Sequence, residues 1–327
     1  MIITKTPFRI SFVGGGSDLA AFYEKSKGAV ISTSINKYMY ISSHRFFEED
    51  KIRTKYSQTE TVSNIKDLQH PILRKALEKF DIKGGIEISS IADLPSGTGM
   101  GSSSSFTVGL LHNLHATKSL YASKEALAKE ACEIEIDLLK EPIGKQDQYA
   151  AAYGGLNVIE FHPNGRVSVD PVYLSEDIYS ILERNLALYY IGNQRSASSI
   201  LSEQKKNTNQ EDKFKTLQNM VSLVYELRDT LMKGNIDGFG SLMHENWMMK
   251  QKLASGISNP LINELYDTAL KNGAIGGKLL GAGGGGFMLF YCPSENQKKL
   301  DEALHKVRRF NFKFEQDGSK LIHYSNE

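Results

Sequence analysis

The spacing of apolar and polar positions changes several times along this chain, and each change marks an element. Ile2–Phe12 has strand character interrupted by Pro7, with Arg9 in the run. Val30–Ser42 alternates polar and apolar residues and is rich in β-branched and aromatic types, which predicts a second strand. Glu48–Lys51 reads as a charged turn and Lys51–Ser57 as a further strand. Ile72, Leu73, Ala76, Leu77 and Phe80 recur at helical spacing within His70–Phe80. Ile86–Ile91 is strand-like and Pro95 stops it. Phe106, Leu110 and Leu114 then fall every fourth residue on one helix face. Ser123 is the expected N-cap of a helix through Lys140, with Leu127, Ala131, Ile134 and Leu138 as its buried stripe. Glu133, Glu135 and Asp137 alternate along it, so they cannot all face one way. Pro142 and Gly144 break that helix.

Asn157–Val172 predicts a hairpin around Pro163-Asn164-Gly165, and Asn185–Ile191 a buried strand. Gln194–Gln210 is polar and rich in Ser and Asn, so a hinge is expected just before it, near residues 180–190. Helical patterns follow over Asp212–Lys233, Asp237–Leu253 and Pro260–Asn272, the last with Asn259 as N-cap and Gly273 as stop. Gly276–Cys292 is a glycine-rich turn followed by a strand. Ser294 and Gln297 have the spacing of a capping box for a helix to about Phe310, and Asp317-Gly318 the character of a closing hairpin turn.

Composition narrows the class. At 327 residues the chain can hold two domains or one large one, and its 40% hydrophobic and 24% charged content is ordinary for a globular protein. A formal net charge of +1 gives no basic excess, so neither nucleic acid nor an anionic membrane surface is expected as a partner. Cys132 and Cys292 stand apart, without the spacing of a disulfide framework or zinc site. The first residues lack the apolar core of a signal peptide, and no run of about 18 apolar residues could span a bilayer. A cytoplasmic location is the expectation.

The chemistry concentrates where glycines do. Across Pro95-Ser96-Gly97-Thr98-Gly99-Met100-Gly101, glycines alternate with other residues, and Ser102, Ser103 and Ser104 open a helix. Glycines let the backbone curl, and a helix N-terminus presents unpaired N–H groups, so the stretch reads as a cradle for phosphate. The sequence GxxxxGK[ST] is absent, and the dinucleotide fingerprint lacks its third glycine and its acid at a strand end. Four serines exceed what capping needs, and one hydroxyl can reach a magnesium ion. Val13–Asp18 is a tight turn that either delivers the Asp18 carboxylate to a site or caps a helix. Asp147, just past the Pro/Gly break, is a candidate base for an acceptor hydroxyl or a helix cap. Glu135 is a candidate ligand or one acid of an amphipathic face, and Arg9 a site residue or an ordinary strand arginine. The eight histidines show neither HxH nor HExxH spacing and read as structural. Gly281–Gly286 has only Ala282 as a side chain, which allows another backbone to come close or N–H groups to line a site.

Three motifs, TPFRISFVGGGSD at Thr6–Asp18, LPSGTGMGSSSS at Leu94–Ser105 and KLLGAGGGGF at Lys278–Phe287, together resemble the GHMP kinases, the small-molecule kinases named for galactokinase, homoserine kinase, mevalonate kinase and phosphomevalonate kinase. The resemblance implies an α/β (α+β) fold of two domains. The first, residues 1–185, would be like the second domain of a ribosomal protein, and the second, residues 186–327, would be ferredoxin-like. It also implies ATP and Mg²⁺ as cofactors. Gly97–Ser104 would wrap the ATP phosphates, Ser103 and Glu135 would hold the metal, and Asp147 in GKQDQ would be the base. Arg9 would lie beside the transferring group. Asp18 would grip the acceptor with Gly15, Gly16 and Ser17, and Gly283 and Gly284 would pack against nucleotide and substrate. GGGSD replaces the GEHTD form of galactokinases and is similar to that of kinases of an anomeric hydroxyl, those for D-glycero-D-manno-heptose 7-phosphate and, less closely, L-fucose; an anomeric kinase of L-fucose or an N-acetylhexosamine is the alternative among enzymes. Asn193–Ser198, with Arg195, resembles a segment of the heptose enzymes and suggests a seat for a substrate phosphate. A cytoplasmic kinase of a sugar phosphate, monomer or homodimer, on the way to GDP-heptose for surface polysaccharide, is the expectation. A non-catalytic sensor is the alternative of another class.

Overall fold

The computed structural model describes residues 1–192 and 197–325. Its strands, in chain order, are β1 (Ile2–Val13), β2 (Gly28–Arg45), β3 (Ile52–Lys55), β4 (Thr59–Val62), β5 (Ile86–Ala92), β6 (Leu156–Phe161), β7 (Val167–Pro171), β8 (Leu186–Gly192), β9 (Gly276–Leu279), β10 (Gly286–Tyr291), β11 (Arg308–Phe310), β12 (Phe314–Glu315) and β13 (Lys320–Tyr324). β2 organises the larger sheet. One of its edges carries β1; the other carries β6, β12 and β5 end to end, at Gly28–Thr33, Ser34–Ile35 and Met39–Arg45. β13 covers the free edge of β1, β3 and β4 extend beyond β5, and β7 pairs with β6. Pro7 cannot donate to the ladder, and the β1–β2 register shifts between it and Phe8, as its position in the strand predicts. The smaller sheet, β11-β8-β10-β9, is antiparallel throughout.

The helix Ser102–Thr117 packs on β1 and β2, and Phe106, Leu110 and Leu114 are buried as their spacing predicts. Its approach to β1 is close: a Cβ on Gly109 would lie 2.8 Å from Thr6 Oγ1. Asn113 is buried there with its amide donating to Ile2 O and Ile41 O, so it adds no unpaired group to the core. The long helices Glu211–Met232 and Ile236–Lys250 lean on β1 as well, and the second also on β9 of the smaller sheet. That packing carries the end of the Ile236–Lys250 helix to the turn after β1.

Several expectations need correction. Ser123 Oγ does accept from Ala126 N, but the helix changes after Cys132 to a π turn over Glu133–Leu138. The wider i→i+5 turn breaks the four-residue stripe, so Leu127, Ala131 and Ile134 are buried while Leu138 is 47% exposed. The Ser294/Gln297 capping box does not form. Gln297 Nε2 donates to Arg184 O and Cys292 O, the helix ends at Ala303, and residues 308–310 are a strand on β8. Asp317-Gly318 does not close a hairpin, because β12 pairs with β2 and β13 with β1 rather than with each other. The polar stretch after the expected hinge contains a helix, Ala197–Asn207, and Glu176–Asn185 is helical too.

Candidate active site

Backbone conformation shapes the phosphate cradle. Gly97, Gly99 and Gly101 have φ of 75°, 78° and 76°, left-handed values that favour glycine. Gly101 is the residue before the first helical turn, and no side chain caps it. The N–H groups of Ser102, Ser103 and Ser104 therefore point out of the helix start, where the backbone dipoles favour an anion. Thr98 Oγ1 donates to Pro95 O at 3.1 Å and holds the loop from within. The second glycine stretch lies against the first, backbone to backbone. A Cβ on Gly99 would be 2.4 Å from Leu280 O, one on Gly281 2.5 Å from Gly99 Cα, and one on Gly286 2.5 Å from Thr98 O.

Arg9 ties this loop to Asp147. Its Nη1 donates to Gly99 O at 2.7 Å, and its Nε and Nη2 reach Asp147 Oδ1 at 2.7 and 2.6 Å. Arg9 N also donates to Met100 O, so main chain and side chain both hold the loop. Arg9 is 4% exposed and Asp147 25%, so the carboxylate opens to the cavity from a buried anchor. A Cβ on Gly101 would sit 3.4 Å from Asp147 Oδ2, which places this oxygen at the helix start.

Glu135 lies within the π turn and is buried. It accepts from Ser103 Oγ at 2.6 Å, Ser104 Oγ at 2.9 Å and Gln148 Nε2 at 2.8 Å. Burial raises its pKa above the ordinary carboxylate value, against the pull of those three donors. Ser103, beside it, lines the cavity. Among the described residues no group of three His, Cys, Asp or Glu forms a metal cage. A hydroxyl and one carboxylate suit a magnesium ion that takes its remaining ligands from phosphate and water.

Across the cavity, the Gly14–Asp18 turn is fixed from several directions. Asp18 Oδ1 accepts from Gly16 N at 2.9 Å and Oδ2 from Gln146 N at 3.4 Å. Its pKa is raised, first by burial and then by the nearby Asp147 charge. Asn246 Oδ1 accepts from Gly14 N at 3.1 Å, and Lys250, one turn further along the same helix, donates to Gly15 O at 3.0 Å. Ser17 does not face the cavity; its hydroxyl donates to Gly14 O and Ala29 O inside the turn. Gly15, Gly16, Asp18, Gly97, Gly99, Gly101, Ser102, Ser103, Ser104, Asp147 and Arg9 all line one cavity, together with Gly281 and Ala282. Gly283 and Gly284 do not line it. They back onto Ile257, whose oxygen accepts from Gly284 N at 3.2 Å. Pro95, Ser96, Thr98 and Met100 shape the loop from outside the lining, and Arg195 lies outside the described residues.

Models of the GHMP kinases N terminal domain and the GHMP kinases C terminal domain match residues 68–155 and 227–313, together more than half of the chain. The chain belongs to the GHMP kinase family. It is thus an enzyme, a kinase of alcohol groups with the family's two-domain mixed α/β fold, and the family uses ATP. This GHMP kinase is 29% identical over 98% of its length, and 98% of the relative's, to D-glycero-alpha-D-manno-heptose 7-phosphate kinase of Campylobacter jejuni. It is 25% identical to the galactokinase of Pyrococcus furiosus, over 96% of this chain and 94% of that one. Its fold is shared with a D-glycero-D-manno-heptose 1-phosphate kinase of Bacteroides thetaiotaomicron, with a TM-score of 0.81, 23% identity and 100% of both chains covered.

The GHMP kinase cavity also holds residues that sequence reasoning missed. Lys250, Lys278, Ser11 and Gln146 line it, and Gln204, on the Ala197–Asn207 helix, stands behind the lining, where its Oε1 accepts from Lys250 Nζ and a Cβ on Gly16 would meet its Nε2 at 2.1 Å. Lys278 stands at the head of the third motif, which was its only signal. Lys250 and Gln204 sit among ordinary charged and polar helix residues and gave none.

Proposed function

We propose that this GHMP kinase transfers the γ-phosphoryl group of ATP to the anomeric C1 hydroxyl of D-glycero-D-manno-heptose 7-phosphate, giving the 1,7-bisphosphate. The observation that carries the reading is the Arg9–Asp147 pair, set where the phosphate loop ends and the Ser102–Thr117 helix begins. A base must stand within reach of the acceptor oxygen and close to the group it receives, and the position of Asp147, open to the cavity beside Arg9 and the helix start, supports that role. Likeness over nearly the full length to a heptose 7-phosphate kinase supports the choice of acceptor.

In this reading the N–H groups of Ser102–Ser104 bind phosphate oxygens. Arg9 offsets charge on the transferring group while it fixes one oxygen of Asp147. The other oxygen takes the proton of the acceptor hydroxyl. Ser103 and Glu135 would hold Mg²⁺, which when bound offsets negative charge on the β- and γ-phosphates. Asp18, with its backbone donors, orients acceptor hydroxyls. Residues 1–185 would form the first domain and 186–327 the second, with β12 and β13 returning to the first sheet.

The test is a panel of free and phosphorylated sugars with MgATP, with products read by phosphorus NMR. The expected result is an anomeric phosphate signal with the heptose 7-phosphate above all others. Higher kcat/KM with L-fucose or an N-acetylhexosamine would replace the substrate, and no transfer to any sugar would end the reading.

A further inference from the structure

Three cations enter the cavity at successive points along β1 and the turn that follows it. Arg9 lies on the strand itself and pairs with Asp147. Two residues on, and so on the same strand face about 7 Å away, Ser11 O accepts from Lys278 Nζ at 2.8 Å. Beyond the strand, Gly15 O accepts from Lys250 Nζ at 3.0 Å, and Gln204 Oε1 accepts from the same ammonium at 2.9 Å. The row leads away from the phosphate loop toward the Gly14–Asp18 turn.

The two lysines differ from Arg9 in what balances them. Each is buried, at 4% and 5% exposure. Among the described residues neither forms an ion pair with a carboxylate, and Asp18 acts on both only from a distance. Burial lowers Lys278 to about 7 and Lys250 to about 8. A buried ammonium held by neutral oxygens alone is costly, and an apolar side chain of similar length would fill the same space more stably. Among the described residues, one of the three N–H groups on Lys278 is taken, by Ser11 O. Around them Ser11 Oγ, Gln146 Oε1 and Gln204 Nε2 are buried with no hydrogen-bond partner among the described residues. Cations lacking an anion, beside unfilled donors and an unfilled amide oxygen, match a ligand that carries both an anionic group and hydroxyls.

We infer that Lys278, with Lys250 beside it, is the subsite for a phosphate carried by the acceptor itself, distinct from the transferring phosphoryl group at Arg9. The acceptor class is then a phosphorylated polyol rather than a free sugar. This deepens the proposed function and rests on its placing of the acceptor in this cavity. It gives the cavity floor the task that the sequence motif suggests for Arg195.

The first experiment does not depend on turnover. Inorganic phosphate is titrated by calorimetry into the intact protein saturated with Mg²⁺ and β,γ-imido-ATP, which fills the phosphate loop. Wild type should bind one phosphate. Lys278→Met should weaken it about 10- to 100-fold, the loss expected for a charge-assisted contact, and Lys278→Arg should keep most of it. In the second experiment, kcat/KM is compared for heptose 7-phosphate and free heptose. Lys278→Met should lower the preference for the phosphorylated acceptor by a similar factor, with the KM for ATP unchanged.

Absence of phosphate binding in wild type would overturn the inference. So would an equal fall with both acceptors, which would return Lys278 to the transferring group, or a preference lost in Arg195→Ala but intact in Lys278→Met. Should wild type phosphorylate no heptose, the substrate reading fails while the phosphate titration still decides the subsite. Melting curves and imido-ATP binding report whether Lys278→Met is folded, and Lys250→Met provides the second variant.

Discussion

On the side of the cavity proposed for the nucleotide, one continuous stretch, Gly97–Ser104, supplies the loop, the helix start and the hydroxyls, while Glu135 beneath it and the backbone of Gly281 and Ala282 come from elsewhere. The side proposed for the acceptor draws on Ser11, the Gly14–Asp18 turn, Gln146, Gln204, Lys250 and Lys278, which meet through tertiary packing. The nucleotide side can be built locally because main-chain N–H groups recognise phosphate whatever side chains surround them. The acceptor side must distinguish one polyol from another, so it needs side chains placed from several directions. Arg9 is the join between the two, touching Gly99 on one side and Asp147 on the other.

The largest break in this arrangement is Asp147→Asn. It should lower turnover about 10²- to 10⁴-fold while imido-ATP binding stays near wild type, as measured by steady-state kinetics and calorimetry. Turnover within a few-fold of wild type would remove Asp147 from the role of base.

A smaller break tests whether the nucleotide side is as self-contained as it looks. Gly281 is distant in sequence from the loop, yet its φ is +78° and a Cβ there would lie 2.5 Å from Gly99 Cα. Gly281→Ala should therefore push on the loop from behind. Overpacking of this kind costs about 1–3 kcal/mol, so imido-ATP should bind about 5- to 150-fold more weakly. Unchanged binding in a folded Gly281→Ala protein would mean that the loop holds its shape alone.

The smallest effect sharpens the acceptor side. Burial depresses Lys278 to about 7 and Lys250 to about 8 from 10.5. Between those values and 10.5 the unfolded chain binds more protons than the folded one, so this contribution to stability rises with pH across that window. Below it both states are protonated and the full penalty of two buried charges is present. Without ligands, Lys278→Met should melt about 2–4 °C above wild type near pH 6.5, with the gap narrowing toward pH 10. A gap that does not change with pH would show that the ammonium is not the source of the strain.

The same contrast explains what could be read from the residues alone. The curled loop and helix start at Gly97–Ser104 were legible because glycine spacing fixes backbone shape locally, whereas Arg9, Asp18 and Asp147 each had an ordinary structural reading and only the resemblance of the motifs drew them toward the one cavity that they line. The hairpin over Asn157–Val172 and the helix start at Pro260 were legible for the same reason, since Asn259 Oδ1 accepts from Ile262 N as a capping asparagine should. Lys250 was not, because nothing in the local pattern of its helix distinguishes a lysine that turns inward from one in water. Leu138 misled because a π turn leaves no mark in a four-residue stripe. Gln297 misled because Arg184 and Cys292 offered its amide better acceptors than the helix start did. Gly283 and Gly284 show that a glycine run can serve two neighbours at once, a site on one side and Ile257 on the other.

β13 pairs with β1 from Ile2↔Tyr324 to Lys5↔Lys320, and β12 fills the gap on β2 between β6 and β5. During synthesis, then, the sheet that carries Arg9 and the acceptor turn keeps an open edge until residues 314–324 have emerged. Until that moment β1 is an unprotected template for pairing with another chain. Loss of those few residues, none of which lines the cavity, would strand the whole first sheet in that exposed state.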